Sequence, residues 1–541
     1  MKTPFAITLD VGTSRANHTG SWRVERPVYV DRLPPCNDAC PAGENIQGWL
    51  YQAESGDYEA AWRELVKDNP LPAIMGRICF HPCETACNRA QLDDAVGINA
   101  VERFLGDVAI ERGWQPPEAG PDTGKSVLVV GSGPAGLSAT YHLRRLGHRV
   151  HLVDSAHQLG GMMRYGIPAY RLPREVLDAE IARIVEMGVE VELDHVVADI
   201  DAERRDGGFD AVFLAVGAQL GKRVEIPAGD SSKIIDAVAL LHQVAEGDSP
   251  RLGRRVVVYG GGDTALDAAR TVRRLGVADP VIVYRRNRER MPAHGDELEQ
   301  ALVEGVTVRW LSTVDRFDDG RLVLEVMRLN DEGFPEATGE FEELDTDSLV
   351  LALGQDTDLS LLTTSPDVVV RDGVVEVASS LMTGEDGVFA GGDAVPADRT
   401  ATVAVGHGKR GARSIDAYLR GEAIVVAPHH ELATFERLNT WYYSDAPRTE
   451  RPELERVRRQ TNFEEVVGGL TEENALFEAR RCLSCGNCFE CDNCFGVCPD
   501  NAVIKLGGGE RYQFDYDFCK GCGICVTECP CGAIEMVPER I

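Results

Sequence analysis

The cysteines of this chain are concentrated near its two ends, and this distribution limits what the chain can fold into. Of 16 cysteines in 541 residues, five lie at positions 36–87 and eleven at positions 482–531, with none in between. A secreted disulfide protein distributes its cysteines along the chain, whereas two terminal groups indicate metal clusters in a reducing compartment. We therefore expect a cytoplasmic protein with metal centres at both ends.

The overall charge argues against two classes of partner. The chain has 56 Lys and Arg against 87 Asp and Glu, a formal net charge of −31. This charge disfavours nucleic acid and an anionic membrane surface as partners. No apolar run reaches the ~18 residues of a membrane-spanning helix, and the first residues lack the apolar core of a secretory signal. At ~100–200 residues per domain, the length predicts three to five domains.

Two regions with different periodicity follow one another along the chain. Residues 35–115 have the spacing of amphipathic helices, whereas residues 125–425 alternate short apolar strands with helices. The second pattern is typical of βαβ units and predicts parallel, doubly wound sheets. Two alternating stretches, FAITLDV at 5–11 and WRVERPVYV at 22–30, predict strands near the N-terminus without an assigned role.

A glycine-rich turn follows the strand SVLVV and opens a helix. It consists of Gly131, Ser132, Gly133, Pro134, Ala135 and Gly136. In a dinucleotide-binding turn, the first glycine permits the bend, the second lets a pyrophosphate approach the backbone, and the third allows close helix packing. Asp154 ends the next strand, where a carboxylate accepts from a ribose hydroxyl. The alternative is a glycine-rich turn in an unrelated α/β fold.

A second turn of this type follows the strand RRVVVYG. Its predicted nucleotide-binding residues are Gly260, Gly262, Asp263, Thr264 and Ala265. The next strand ends in Arg285 and Arg286 rather than in an acid, and two guanidinium groups suit the 2′-phosphate of NADP. The alternative is that these arginines only form ion pairs with the acidic surface, so NAD remains open.

Two dinucleotide folds, the second inserted in the first, indicate a flavoprotein with a pyridine-nucleotide domain. Gly392 and Asp393 resemble the Gly-Asp pair that holds the flavin ribityl chain in FAD-dependent reductases with two dinucleotide domains. That resemblance implies that the helix start near Thr402 offers N–H groups to the flavin, and Gly161 and Gly217 are further predicted FAD contacts. The alternative for Asp393 is a plain helix cap. Disulfide reductases of this fold need a cysteine pair near the flavin, which is missing here, so electrons must leave the flavin by another route.

The last cysteines repeat the spacing C-x2-C-x2-C-x3-C-P, which is typical of bacterial ferredoxins with two [4Fe–4S] clusters. In that pattern the fourth cysteine of each run binds the other cluster. One predicted ligand set is Cys488, Cys491, Cys494 and Cys529. The other is Cys519, Cys522, Cys525 and Cys498. A zinc ribbon needs only four ligands in two pairs, so eight in this order argue against it.

The segments CPAGENIQGWL, GRICFHPCETAC and GINAVERF carry a family resemblance over roughly residues 35–425. They are similar to the N-terminal iron–sulfur domain of the glutamate synthase small-subunit family, which is shared with dihydropyrimidine dehydrogenase and with NADPH-linked ferredoxin oxidoreductases. Family members carry E-A-x-R-C-L-x-C before the first of these cysteines. Here that half-site occurs only at 478–485, ahead of the ferredoxin module.

The resemblance implies that the half-site has moved to the C-terminal side and folds back onto the N-terminal domain. One cluster then takes Cys36, Cys87, Cys482 and Cys485. A second takes Cys40, Cys79, Cys83 and, where the family places Glu or Gln, Glu102. The alternatives are a single N-terminal cluster with Cys482 and Cys485 unused, a third cluster in the C-terminal module, and a solvated helical role for Glu102. Cys531 stays unassigned.

The expected fold is α/β, with six segments. They are an N-terminal segment with a helical iron–sulfur domain at 1–120, a doubly wound FAD domain at 121–254 and 366–425, an inserted NAD(P) domain at 255–365, a linker at 426–480 and a bacterial ferredoxin-like α+β domain at 481–541.

The expected function is an NAD(P)H:ferredoxin-type oxidoreductase with FAD, NADP or NAD and four [4Fe–4S] clusters. It would act in a hetero-oligomeric complex with a redox enzyme or ferredoxin, such as a 2-oxoacid:ferredoxin oxidoreductase. The alternatives are the small subunit of a glutamate synthase and a non-catalytic electron carrier.

Overall fold

Two five-stranded parallel sheets form the centre of the chain in the computed structural model, which describes residues 18–539 except 22, 223, 229–232 and 425–429. The first sheet has the order Val388–Ala390, Ala211–Leu214, Ser126–Val130, Arg149–Val153, Glu190–Glu192. The second has the order Thr307–Arg309, Asp279–Val283, Arg255–Tyr259, Ser348–Leu351, Ile234–Asp236. The second sheet lies within the chain interval between two strands of the first, so the predicted insertion is confirmed. Its predicted start at residue 255 is wrong, because strand Ile234–Asp236 pairs with Ser348–Leu351 in the second sheet.

Helices cover these sheets, because strands of a parallel sheet are buried on both faces. Val127, Leu128 and Val129 in the central strand of the first sheet have no exposed surface. The principal helices of the two domains are Pro134–Arg145, Arg174–Val185, Ile200–Gly207, Ala237–Ala245, Asp263–Arg274, Gly295–Val303 and Ala401–Arg420. An antiparallel three-stranded sheet of Ser312–Asp318, Arg321–Leu329 and Pro335–Asp345 adds to the second domain, and the sequence analysis did not predict it.

Short helices build the N-terminal domain, as its amphipathic spacing predicts. They are Pro35–Ala39, Ile46–Glu54, Tyr58–Leu65, Pro72–Ile78, Pro82–Thr85 and Ile98–Glu111. A helix from far along the chain, Glu472–Arg480, shares their core, since Ala475 and Ala479 are buried with Trp49 and Leu105. The C-terminal side of the chain therefore completes the N-terminal domain.

The two chain ends also meet in the ferredoxin-like module. Strand Glu25–Tyr29 pairs antiparallel with Ile534–Pro538, with Tyr29 opposite Ile534. The other elements of the module are Asn493–Val497, Val503–Lys505, Tyr512–Phe514 and Ile524–Thr527. The strand predicted within residues 22–30 thus has a structural role, whereas the stretch at 5–11 lies outside the described residues. No helix in the described ranges is both long and apolar enough to cross a membrane.

Candidate functional site

The first glycine-rich turn has the geometry that a pyrophosphate requires. Gly131 adopts φ +100°, and a Cβ there would lie 2.4 Å from the Ala215 carbonyl oxygen. A Cβ on Gly136 would lie 1.8 Å from the Gly131 oxygen, so the helix packs against the turn. A Cβ on Gly133, in contrast, would meet nothing within 4 Å. The open side of Gly133 leaves room for a phosphate beside the first helical turn.

One cleft brings together most of the residues predicted to contact FAD. The predicted FAD residues lining it are Gly131, Gly133, Pro134, Ala135, Asp154, Gly161, Gly217, Gly392 and Asp393. Gly161 adopts φ +51° and approaches the backbone of Gly133, where an added Cβ would lie 2.9 Å from the Gly133 Cα. Gly136 and Thr402 do not line this cleft: the first supports the turn from behind, and the second faces another cavity.

Asp154 organises the turn from inside the chain. Its carboxylate accepts hydrogen bonds from the Ser132 N–H at 2.7 Å and the Ser132 hydroxyl at 2.5 Å. It also accepts from the Ala156 N–H at 2.9 Å. This carboxylate therefore stabilises the conformation of the glycine-rich turn. It also lies where it can accept a hydrogen bond from a ribose hydroxyl.

The Gly392–Asp393 pair is held by a buried histidine. Gly392 adopts φ +70°, and its N–H donates to Nδ1 of His407 at 3.1 Å. Burial lowers the pKa of His407 to about 4, so the ring stays neutral and can accept. Burial raises the pKa of the adjacent Asp393 carboxyl above its ordinary range. The pair and its histidine form a fixed wall of the cleft.

Helix Ala401–Arg420 begins between two cavities. The Thr400 side chain caps it by accepting from the Val403 N–H, and Thr400 and Ala401 line the flavin cleft. Thr402 turns the other way: its hydroxyl donates to the Met75 sulfur at 3.7 Å and the residue lines the cavity of the N-terminal cysteines. One helical turn therefore separates the flavin cleft from a cysteine site.

The second glycine-rich turn repeats the geometry of the first. Gly260 adopts φ +153°, and a Cβ there would lie 2.2 Å from the Ala352 oxygen, whereas a Cβ on Gly262 would meet nothing within 4 Å. Ala265 is fully buried under the turn. Asp263 and Thr264 line the same cleft as the first turn, so the two nucleotide sites face each other.

The two arginines after strand Asp279–Val283 remain available to a ligand. Arg285 is exposed and Arg286 is partly buried. In the part of the chain that the structure describes, neither forms an ion pair, and the buried Nε of Arg286 has no hydrogen-bond partner. An unpaired cationic pair at this strand end fits a 2′-phosphate better than the alternative of a surface ion pair.

The N-terminal and C-terminal cysteines converge on one site. Burial raises the pKa of the Cys36 thiol, and three further cysteines lie near enough for their charges to raise it more. Those three are Cys482, Cys87 and Cys485. The structure thus brings together the four ligands predicted for the split cluster.

Ion pairs and hydrogen bonds hold the C-terminal half-site in this position. Arg481 is almost fully buried, and its guanidinium donates to the carbonyl oxygens of Asp94, Ala95 and Ala446. In return, the Arg481 carbonyl accepts from the Arg89 guanidinium at 2.7 Å. These contacts fasten the residue before Cys482 to the loop that follows Cys87.

The second N-terminal set lines a small cavity of its own. Cys40, Cys79, Cys83 and Glu102 all border it. Glu102 is 6% exposed and accepts from the Asn69 amide at 2.8 Å, so it is not a solvated helical side chain. Burial and the nearby Glu44 raise its pKa.

Glu44, which the sequence analysis missed, borders the same cavity. Burial raises its pKa to about 7.

The ferredoxin-type cysteines pair across the two runs in the predicted way. Burial raises the pKa of Cys494 to about 11. The thiols that raise it further are Cys488, Cys491 and Cys529. Cys498, Cys519, Cys522 and Cys525 line a separate small cavity. Cys531 is buried, and its sulfur lies 3.8 Å from that of Cys529.

The donor sets fit iron–sulfur clusters better than single ions. Among the described residues, no three His, Cys, Asp or Glu side chains converge closely enough to hold one metal ion. Each ligand of a four-iron cluster binds a different iron atom, so its ligands stand farther apart. When bound, such clusters would carry single electrons.

Together, these sites define a class of protein, the FAD- and NAD(P)-dependent iron–sulfur oxidoreductases. The pyridine nucleotide-disulphide oxidoreductase family model matches residues 125–408, and the chain belongs to this family. The model of dihydropyrimidine dehydrogenase domain II with its 4Fe-4S cluster matches residues 26–114, and a 4Fe-4S binding domain model matches residues 512–535. The predicted enzyme class and family resemblance are confirmed.

Three relatives illustrate the family. The NADP(+)-dependent formate dehydrogenase subunit beta of Moorella thermoacetica is 33% identical over 497 residues, 83% of this chain and 70% of that protein. The NADPH-Fe(3+) oxidoreductase subunit beta of Geobacter sulfurreducens is 32% identical over 521 residues, 85% and 77% respectively. The glutamate synthase (NADPH) small chain of Azospirillum brasilense is 33% identical over 427 residues, 72% and 87%. Together with the matched family models, these proteins support electron transfer with FAD, NADP and [4Fe–4S] clusters.

Proposed function

We propose that this chain is the nucleotide-facing subunit of a redox complex, passing electrons between NADPH and a partner enzyme through FAD and four [4Fe–4S] clusters. The observation that carries the proposal is the start of helix Ala401–Arg420, where Thr400 borders the flavin cleft and Thr402 borders the cavity of Cys79. FAD, when bound, would exchange a hydride with the nucleotide and single electrons with the clusters. The side chains of this protein would hold the cofactors in position, and none of them would need to act as a catalytic acid or base.

The order of the ligand sets along the chain supports a continuous route for electrons from the flavin cleft to the ferredoxin-like module. The set containing Cys40 and Cys83 is next to the flavin cleft, and each of these cysteines is four residues from a member of the split set, Cys36 or Cys87. Cys485 of the split set and Cys488 of the ferredoxin module are three positions apart, so their Cα atoms lie at most ~11 Å from each other. The cluster held by the split set would thereby connect the cluster next to the flavin cleft with the ferredoxin-like module.

The residues proposed for each cofactor are those predicted above. The two glycine-rich turns would hold the pyrophosphates of FAD and NADP, and Asp154 the FAD ribose. Arg285 and Arg286, which are unpaired in the described part of the chain, favour NADPH over NADH. The six predicted segments remain the proposed domains with three changes. Strand Glu25–Tyr29 joins the tail module, strand Ile234–Asp236 joins the NAD(P) domain, and helix Glu472–Arg480 joins the N-terminal domain.

The proposed partner is a redox enzyme or ferredoxin in a hetero-oligomeric complex in the cytoplasm, such as a 2-oxoacid:ferredoxin oxidoreductase. The relatives named as formate dehydrogenase and Fe(3+) oxidoreductase subunits support a role as one subunit of a larger assembly. The glutamate synthase relative supports a second candidate, the small subunit of that enzyme. The ferredoxin-like tail favours the first candidate because it adds a second outlet for electrons.

Nucleotide-driven reduction of a small acceptor tests the proposal. The isolated chain is expected to show flavin and iron–sulfur absorbance and to reduce benzyl viologen with NADPH faster than with NADH. A protein without flavin bands, or one that reduces viologen with neither nucleotide, would contradict the proposal and favour a non-catalytic carrier. The partner is tested by identifying what copurifies from the native source: a glutamate synthase large subunit would establish the second candidate.

A further inference from the structure

The ferredoxin-like module carries an exposed aromatic and apolar face. Four large side chains are exposed on this module and on the segment packed against it, and we call them the exit face: Trp441, Tyr442, Phe495 and Ile524. Trp441 is 87% exposed, the highest exposure among the large hydrophobic side chains in the described residues. Exposed apolar side chains that lie together are typical of interaction sites.

The exit face is held in place against a cluster-binding segment. The Asn439 N–H donates to the Pro530 carbonyl at 3.1 Å, and the Asn439 amide donates to the Thr527 carbonyl at 2.8 Å. The Tyr442 hydroxyl donates to the Glu528 carboxylate. The segment carrying Trp441 therefore lies on the residues that lead into Cys529, a predicted cluster ligand.

Two cysteines that are predicted to bind clusters reach the surface of the module. Cys491 and Cys522 are the only exposed cysteines among the described residues. Each is followed within three residues by a short helix of the exit face, Asn493–Val497 with Phe495 and Ile524–Thr527 with Ile524. Each ferredoxin-type ligand set therefore has one cysteine at the surface, close in sequence to a helix that carries an exposed apolar side chain.

The ferredoxin-like module that carries this face is acidic, which bears on the kind of partner it can bind. Residues 486–539 contain nine carboxylates against three Lys and Arg. Tyr442 already binds one of these carboxylates, Glu528. A partner with an apolar centre ringed by lysine and arginine would satisfy both features, whereas an equally acidic surface would be repelled.

We propose that the exit face docks a redox protein whose cofactor edge lies in an apolar patch ringed by basic side chains. This inference rests on the proposed electron-transfer function and adds the place and chemistry of delivery. Trp441 anchors the contact because large aromatic side chains dominate binding energy at interface centres. The acidic surroundings steer the approach of the partner and make it depend on salt.

A basic c-type cytochrome is a probe of this chemistry. The holoprotein would be assayed with NADPH and this cytochrome, each NADPH reducing two haem irons and releasing one proton, and in parallel with benzyl viologen. We expect Trp441→Ala to lower kcat/KM for the cytochrome about tenfold and to leave viologen reduction unchanged. Phe341→Ala, an exposed aromatic on the remote three-stranded sheet, should change neither rate.

Salt and oligomeric state complete the test. Raising ionic strength from about 0.05 to about 0.3 M should slow cytochrome reduction but not viologen reduction. Unchanged cytochrome kinetics in Trp441→Ala would overturn the inference, as would a Trp441→Ala variant that turns a dimer of this chain into a monomer. Failure of the wild-type protein to reduce either acceptor would instead contradict the proposed function.

Discussion

Gly133→Ala is predicted to weaken FAD binding without harming the fold. Gly133 has φ −68° and ψ −175°, a conformation that alanine adopts freely, and its added methyl would meet no protein atom within 4 Å. Replacing glycine at such a position stabilises the folded chain by about 0.4–1 kcal/mol. The methyl instead occupies space that the pyrophosphate needs, and overpacking of this kind costs about 1–3 kcal/mol, or roughly 5–150-fold in affinity.

Two further substitutions make the comparison sharp. Gly262→Ala, at the equivalent open position of the second turn, should weaken NADPH binding to a similar extent while FAD stays bound. Gly136→Ala should prevent folding, because its Cβ would lie 1.8 Å from the Gly131 oxygen.

Flavin content of the purified proteins and FAD titration of the apoproteins measure these effects, and thermal unfolding of the apoproteins checks the fold. Wild-type FAD affinity in the Gly133→Ala variant would refute the assignment of this turn. Loss of the folded state in that variant would refute the claim that the protein has room for a methyl group at position 133.

Two other predictions concern the flavin wall and the nucleotide. The pKa of His407 is lowered to about 4, so its contribution to stability is complete above the ordinary value near 6.5 and is lost as the pH falls towards 4. Flavin release should increase over this interval, and less so in His407→Asn, which keeps an acceptor for the Gly392 N–H; equal pH profiles would contradict the role of the ring. Arg285→Ala should raise the KM for NADPH about tenfold and leave the KM for NADH unchanged; equal changes for both nucleotides would show that Arg285 does not contact the 2′-phosphate.

The local elements of the fold could be predicted because their signals are short-range. Each glycine-rich turn lies between an apolar strand and a helix, so its position follows from adjacent residues such as Gly131 and Gly260. The pairing of strand Glu25–Tyr29 with Ile534–Pro538 could not be predicted. It joins segments at opposite ends of the chain, and neither carries a signal for its partner.

In the candidate site, too, short-range patterns could be predicted from the sequence and tertiary contacts could not. Cysteine spacing predicted the ferredoxin ligand sets, and the displaced E-A-R-R-C-L-S-C segment indicated the split set. Glu44 escaped prediction because its burial beside Glu102 comes from tertiary packing. The sequence analysis also did not predict that Thr402 faces the cysteine cavity. A predicted helix start indicates which residues lie near a cleft, but it does not show which of two cavities each side chain enters.

Iron content after loss of Cys482 tests the central claim, that both ends of the chain build one cluster. The wild-type protein should contain about sixteen iron atoms per chain and Cys482→Ser about twelve, with the spectroscopic signals of both ferredoxin-type clusters retained. Cys531→Ser, a buried cysteine outside every predicted ligand set, is the matched control and should keep all of its iron. Full iron content in Cys482→Ser, or loss of a ferredoxin-type signal in place of an N-terminal one, would contradict the account.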